Sequence, residues 1–390
     1  MIAYLVHRFP VATQTFTLDE LEIFKSLGLA TTVFSFRPGE DTGWNVNALD
    51  VRMLPSPTSL AYARVLLIWF WRAPLRLLRC LSWVLLGHFL HRPTLRERAA
   101  AILSLPRGAL LADWPDVELF HAQFANETAT TALVASHLSR KPFSFRSHTA
   151  PNPQLLKEKL RRARVVLSIS EYDRADLLSL VPDARVVLAP LGIPLPPPAS
   201  TARVEGLIAS VGSLIEKKGH DVLIDACAQL RADGIRVRCD IAGEGPLRDA
   251  LQSKIDELGL TGIVRLRGQL SRADVLGLVA SASVFVLASV PSDVGIDGIP
   301  VALIEAMAMS TPPVSTELSG IPELVRGEKT GLLVPPGDAR ALAAAIRRFL
   351  ENNDLARRIG EDAARQVRAD RDAKTRYADA AQVLRSAILG

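Results

Sequence analysis

Two carboxylates eight positions apart, Asp297 and Glu305, flank the change from polar loop to apolar helix in DVGIDGIPVALIEAMAMS. Glu305 lies among Val301, Leu303, Ile304, Ala306, Met307 and Ala308, and a carboxylate on so apolar a helix needs a donor, because burying it unpaired is costly. A protein group would satisfy it, making it a structural cap on a neighbouring loop; so would the vicinal hydroxyls of a ligand. A second cluster is VGSLIEKKGHDVLIDA, where Gly212 and Ser213 end an apolar run and Lys217 and Lys218 precede a helix. Lysines there form either a solvated pair or, with the N–H groups of the helix start, an anion site. In GEGP, Gly243 and Gly245 flank Glu244; they permit close backbone approach but lack the third glycine of a dinucleotide fingerprint. His121 and His148 each follow an apolar run, and a lone histidine is more often structural than catalytic.

The elements that must position these residues can be read from periodicity. Val284 to Ala288 is a short, β-branched apolar run, the pattern of a strand covered on both faces of a parallel sheet. Pro300 suits the first turn of the helix that follows. Gly206 to Val211 reads as another strand, and Ile235, Val237, Cys239 and Ile241 alternate with Arg236, Arg238 and Asp240, predicting a strand with one less covered face. In the first half, strands are expected over Ile2 to Val6, Thr31 to Phe36, Val117 to Phe120 and Pro142 to Ser147. A helix begins near Thr17, where Thr17 and Glu20 have capping-box spacing, and ends at Gly28; another covers Glu127 to Leu138. A strand over Gly331 to Val334 and helices from Ala339 close the chain. This alternation predicts open parallel α/β sheets. The loops after Ser147, Val211, Ala242 and Ala288 all lie at carboxyl ends of predicted strands, where ligands bind in such sheets.

DGIPVALIEAMA resembles the E-x7-E region of the retaining glycosyltransferases of the sucrose-synthase-like family, family 4, with Asp297 in place of the first glutamate. The resemblance implies that Asp297 and the backbone of Gly298, Ile299 and Pro300 lie against the donor sugar and its phosphates, while Glu305 holds the ribose of the nucleotide. VGSLIEKKG resembles the family's phosphate-binding turn: Gly212 and Lys218 match it, and Ser213 stands where an arginine is usual. Glu244 would help frame the nucleotide. FSFRSHTA resembles the segment whose histidine faces the donor sugar, which gives that role to His148; Gln123 replaces a second histidine, leaving His121 structural. FPVATQTF resembles the opening of exopolysaccharide-type members and is either an acceptor contact or a turn packing Phe9 and Phe16. The implied fold is GT-B, two Rossmann-like domains facing across a cleft, with the acceptor on the first and a nucleotide-sugar on the second. The implied reaction transfers a sugar with retention, without metal or cofactor, to a glycan or lipid-linked acceptor in cell-surface polysaccharide synthesis. Lys218 would stabilise the leaving diphosphate, which itself could deprotonate the acceptor. Two rivals are a nucleotide-sugar epimerase of the same architecture and a weakly active homologue kept as a binding partner, the latter suggested by Ser213 and Asp297.

A chain of 390 residues exceeds the size at which one core keeps growing, so two domains are expected. The proline-rich GIPLPPPAS, with Pro194, Pro196, Pro197 and Pro198, reads as the linker. It separates a domain over 1–195 from one over 203–370, with a returning helix over 371–390. Hydrophobic residues at 48% against 22% charged exclude a disordered chain, and the net charge of +5 is a mild excess compatible with anionic ligands or membrane surfaces. No recognition helix, zinc spacing or aromatic RNA-binding signature points to nucleic acid. Cys80, Cys227 and Cys239 have no metal or CxxC spacing and read as reduced buried thiols. The N-terminus lacks a basic, cleavable leader, which points to the cytoplasm. Asp370 and Asp372 have D-x-D spacing within a charged stretch and read as solvated helix surface. Residues 60–90 are rich in Leu and Trp but interrupted by Arg64, Arg72, Arg76 and Arg79, too broken for the ~18 to 20 apolar residues of a spanning helix. Two amphipathic helices broken near Pro74 are expected. Trp69, Trp71, Trp83 and Phe89 would place them at a membrane interface, or the insertion simply packs on the first domain.

Overall fold

The computed structural model describes residues 1–11, 13–86, 95–149, 155–196, 202–293 and 295–390. They divide into two compact units, Met1–Pro190 with Lys374–Gly390, and Leu191–Ala373.

In the first unit the described residues form a seven-stranded parallel sheet from β1 (Ile2–Phe9), β2 (Thr31–Pro38), β3 (Asp50–Met53), β4 (Leu119–Ala122), β5 (Phe143–Ser147), β6 (Val165–Ser168) and β7 (Val186–Leu188). Their order is β3-β2-β1-β4-β5-β6-β7. Around it run α1 (Thr15–Ser26), α2 (Leu60–Arg72), α3 (Pro74–Leu86), α4 (Leu95–Ala112), α5 (Glu127–Ser139), α6 (Leu156–Arg162) and α7 (Glu171–Leu180). β1, β4, β5 and β6 are central and largely buried; β6 and the start of β1 read as apolar runs for that reason, whereas β4 buries His121 and β5, FSFRS, buries Ser144, Arg146 and Ser147 beside its phenylalanines.

Two expectations fail here. The helix α1 starts at Thr15 after Gln14, with no side-chain cap; Thr17 and Glu20 do not form a capping box but are fully buried on its inner face. Glu20 instead pairs with Arg146 of β5 and accepts the Tyr4 hydroxyl at 2.6 Å, and Tyr4 also donates to Gln123. Removing one partner of such a buried pair costs roughly 3–5 kcal/mol. Second, the strand expected over Val117 to Phe120 lies two residues later, so His121 sits within β4 and not after it. Its Nδ1 is 2.8 Å from the Ser144 hydroxyl, and burial followed by the charge of Arg146 holds its pKa well below the ordinary value.

The insertion packs on the sheet's helical layer. Val65 and Trp69 of α2, with Cys80 and Val84 of α3, form a cluster with Leu105 and Ala109 of α4 and Val134 of α5. Trp69 is only 3% exposed and its indole donates to the Ala109 carbonyl at 3.0 Å, so the interfacial role expected of it is wrong. Trp83 is half-buried against Arg79 and Arg162. Trp71 is 78% exposed. Phe89 lies outside the described residues, and no described helix is long and apolar enough to cross a membrane.

In the second unit, β8 (Val204–Val211), β9 (Arg238–Ala242), β10 (Val264–Gly268), β11 (Ala282–Leu287), β12 (Pro313–Thr316) and β13 (Leu332–Val334) form a six-stranded parallel sheet among the described residues, ordered β10-β9-β8-β11-β12-β13. Its helices are α8 (His220–Ala232), α9 (Arg248–Glu257), α10 (Arg272–Ser281), α11 (Val301–Ala308), α12 (Ile321–Leu324), α13 (Ala339–Glu351) and α14 (Asn353–Asp370). The strand expected from Ile235 begins only at Arg238, and its Asp240 is not on an open face: it is fully buried and accepts from Arg267 on β10 at 2.8 Å. The thiols Cys227 and Cys239 are buried side by side, as Cys80 is in the first unit.

The described linker residues cluster with the second unit, where the backbone of Ile193 bridges that of Asp372 in parallel fashion; Asp372 is half-buried and lies just past the end of α14 rather than on a helix surface. Pro197 and Pro198 lie outside the described residues. From Lys374 onward, α15 (Ala373–Leu389) clusters with the first unit, and its Tyr377 is fully buried.

Candidate functional site

In both sheets the connection reverses direction beside the first strand, between β1 and β4 and between β8 and β11. Ligands of open α/β sheets bind in the crevice at such a switch point, outside the carboxyl ends of the strands. In the second unit the residues there are the loop after β8, which carries Gly212 to Gly219, and the loop after β11.

These two loops, and the loop after β9 that carries Gly243, touch at positions only glycine fits. Gly219 has φ +60°, and a Cβ on it would stand 1.9 Å from the Ala288 carbonyl oxygen. A Cβ on Gly243 would come equally close, at 1.9 Å, to the Gly212 oxygen. Backbone bonds fix the contact: Val290 N–H donates to the Lys217 carbonyl at 3.0 Å, and Leu214 N–H to the Glu244 carbonyl at 2.9 Å.

On this frame Glu216–Lys218 makes one turn of 3-10 helix, and both lysines reach Asp297. Lys218 Nζ lies 3.0 and 2.9 Å from the two carboxylate oxygens, and Lys217 Nζ lies 3.3 Å from Oδ1. The Ser289 hydroxyl donates to Oδ2 at 2.8 Å. Burial alone would raise the Asp297 pKa, but Lys218 and Lys217 outweigh it and hold the carboxyl below its ordinary value. The reading of the two lysines as a solvated pair is therefore incorrect. What results is a buried anion between two cations, a charge arrangement that a diphosphate can enter by competing for the ammonium groups.

Gly298, Ile299 and Pro300 are buried and lead into α11, with Pro300 one residue before the first turn rather than in it. Glu305 faces inward on α11, with Arg272 Nη2 3.8 Å from its Oε1. Ser213 stands beside Gly212 in the turn, half-buried. Glu244 is paired to Arg248 one helical turn on, at 2.7 Å, and largely exposed.

In the first unit, His148 follows β5 directly and makes tilted ring contacts with Phe16 and Phe124, with centroids 5.1 and 4.7 Å away. Asp173 anchors this strand end by accepting from Ser147 and Ser168 at 2.8 and 2.6 Å. Both Phe9 and Phe16 are buried, as a packing turn requires.

Sequence reasoning missed Lys217 as a partner of Asp297, Ser289 and Arg272. Ser289 had a readable signal, a hydroxyl directly after a buried strand at its carboxyl end. Arg272 had none, because only the packing of α10 against α11 brings it near Glu305.

Two parallel-sheet α/β domains of this kind are the architecture of the GT-B glycosyltransferases. Residues 201–366 match the family described as Glycosyl transferases group 1. The putative colanic acid biosynthesis glycosyltransferase WcaL of Escherichia coli (strain K12) is 30% identical over 392 residues, 91% of this chain and 92% of that protein. The amylovoran biosynthesis glycosyltransferase AmsK of Erwinia amylovora is 42% identical over 143 residues, 36% of this chain and 35% of its own length. Among solved structures, a glycosyltransferase of Rickettsia africae ESF-5 superposes with TM-score 0.75 at 17% identity, covering 99% of this chain and 98% of that one. Anabaena Alr3699/HepE, solved with UDP and glucose, gives TM-score 0.70 at 19% identity over 99% of both chains. The chain belongs to the group 1 glycosyltransferases and is a glycosyltransferase akin to exopolysaccharide-building enzymes. These relatives lend no support to an epimerase or to a non-catalytic partner.

Proposed function

We propose that the chain moves a sugar from a nucleoside-diphosphate donor to a glycan or lipid-linked acceptor in cell-surface polysaccharide synthesis, with retention of anomeric configuration and without a metal. The observation that carries this is the Lys217–Asp297–Lys218 cluster at the switch point of the second sheet. Bond cleavage leaves positive charge on the sugar and negative charge on the departing diphosphate. Two ammonium groups and the N–H groups opening α8 are set to stabilise the latter, the task a divalent cation performs where lysines are lacking. Asp297 and the backbone of 298–300 would then face the sugar, and Glu305 would accept the ribose hydroxyls. Glu244 would border the nucleotide, and His148 would serve the donor sugar from the first unit. A screen of UDP- and GDP-sugars, scored by released nucleotide and by the anomeric proton of the product, tests this. The expected result is one preferred donor, a retained anomer and turnover unaffected by EDTA; inversion, or activity restored only by Mn²⁺, would contradict it.

A second reading concerns place. Leu60, Arg64, Leu67, Ile68 and Trp71 are exposed along one face of α2 while Tyr62, Val65 and Trp69 are buried on the other, and Leu75 is 80% exposed at the start of α3. An apolar ridge studded with arginine suits peripheral contact with an anionic membrane surface, where a lipid-linked acceptor resides.

A further inference from the structure

At the switch point of the first sheet β1 outruns β4: its pairing with β4 ends at Leu5 and Ala122, while its pairing with β2 continues to Phe9 and Pro38. The two strands part there, where a ligand crevice opens in such sheets, and His7 stands two residues beyond the last shared pair. Its Nδ1 pairs with the carboxylate of Glu127, the first residue of α5. The imidazole side chain is 39% exposed, and its Nε2 makes no hydrogen bond among the described residues. The loop that delivers Glu127 is fixed: Asn126 caps α5 by accepting from the Thr128 N–H at 3.0 Å, and Nζ of the fully buried Lys159 donates to the Ala125 and Asn126 carbonyls at 2.7 and 2.9 Å. Burial alone would raise the Glu127 pKa, but the hydrogen bond and charge of His7, then Arg107 and Arg37, hold it below its ordinary value. A partly exposed ion pair contributes little to stability, so this one does little to tie β1 to α5.

We propose that His7 is the catalytic base of the transfer, taking the proton of the acceptor hydroxyl on Nε2, and that Glu127 is the positioning residue that fixes its tautomer. This rests on the donor reading above. An ionised carboxylate only accepts, so Nδ1 carries the hydrogen shared with Glu127 and the neutral ring presents a lone pair at Nε2. A hydroxyl must lose its proton whichever face of the sugar it attacks. The acceptor O–H bond breaks and its proton goes to Nε2; the oxygen's electron pair forms the bond to the anomeric carbon, and the pair of the broken C–O bond leaves with the diphosphate. Glu127 stabilises the imidazolium so formed, which then returns its proton to solvent. Lys217 and Lys218 sharpen the need, because ammonium groups that stabilise the leaving diphosphate also make it a weaker base for that proton.

The test compares nucleophiles that do and do not have a proton to lose. Wild type, His7→Gln and Glu127→Gln are given the preferred sugar donor with octyl glucoside, an alcohol on a lipid-like tail, or with azide, and transfer to alcohol, to water and to azide is quantified. The expected result is that His7→Gln loses on the order of 100-fold in transfer to the two hydroxyl acceptors, the scale of general base catalysis. Glu127→Gln should lose less, and both variants should form the glycosyl azide at the wild-type rate. Unchanged hydroxyl transfer in His7→Gln would leave the proton to the diphosphate and overturn the inference while sparing the donor reading. So would an equal loss with azide, the mark of a purely structural pair, or a wild type that uses azide alone. If wild type releases diphosphate from no donor, the donor reading itself fails and takes this one with it. A measurement on the wild type covers a variant that does not fold: ¹⁵N shifts of labelled histidine should show the neutral His7 ring protonated at Nδ1 and bare at Nε2. The opposite tautomer would contradict the assignment.

Discussion

Asp297 is one methylene shorter than the glutamate of the family pattern, and it spends its charge on two lysines. Removing Lys218, which contacts both carboxylate oxygens, should cost about 3 kcal/mol in kcat/KM, the scale of losing one preorganised electrostatic contact. Lys217 is more exposed and makes one longer contact, so Lys217→Ala should cost about tenfold, which is ~1.4 kcal/mol. Steady-state kinetics with the preferred donor decide this; a silent Lys217→Ala would return that lysine to solvent. Asp297→Asn should lose more turnover than Asp297→Glu, because only the latter keeps an acceptor-only carboxylate.

The same pairing has a pH signature. Asp297 is held below its ordinary value of 3.8 in the folded state, so its stabilisation is complete above that value and disappears as pH falls through the depressed one. The melting-temperature gap between wild type and Asp297→Asn should be flat from pH 8 to 5 and shrink in stronger acid. A gap that widens on acidification would contradict the pairing.

At the scale of elements, α2 separates two roles that composition alone confounds. Trp69→Ser should destabilise the first unit by roughly 3 kcal/mol or more, since it empties a buried site and orphans the Ala109 carbonyl. Trp71→Ser with Leu75→Ser should leave the melting temperature nearly unchanged and lower sedimentation with anionic vesicles, most at low salt. Vesicle binding that survives the double substitution would remove the ridge from any membrane role.

These helices also show what periodicity can and cannot tell. The break at Pro74 was legible because proline cannot continue a helix, but a tryptophan's direction was not, because an amphipathic helix on a membrane and one on a protein core share one pattern. β11 and α11 were legible from an apolar run, a proline and a second apolar run. Thr17 and Glu20 misled because capping-box spacing is also the i, i+3 spacing of one helix face. Asp240 misled because alternation assumes that polar means open, and here Arg267 of the next strand supplies the charge.

For the whole molecule, the two-sheet plan follows from length and from strands alternating with helices, and the loops of the candidate site lie at the carboxyl ends of β8 and β11 as that alternation predicts. What the sequence could not convey was the strand order, which sets β8 beside β11 and so brings Lys217 and Lys218 to a carboxylate 79 or more residues away. Local patterns carry no record of such long-range neighbours.

The switch point in the second unit is proposed to bind a nucleoside diphosphate through its two lysines. Calorimetric titration of UDP and GDP into wild type and into the Lys217→Ala/Lys218→Ala double variant tests it most directly. We expect wild type to bind one of them with a dissociation constant between about 1 μM and 1 mM, and the double variant, still folded, to bind on the order of 100-fold more weakly. Equal affinity in the two proteins would place the nucleotide elsewhere and contradict the account.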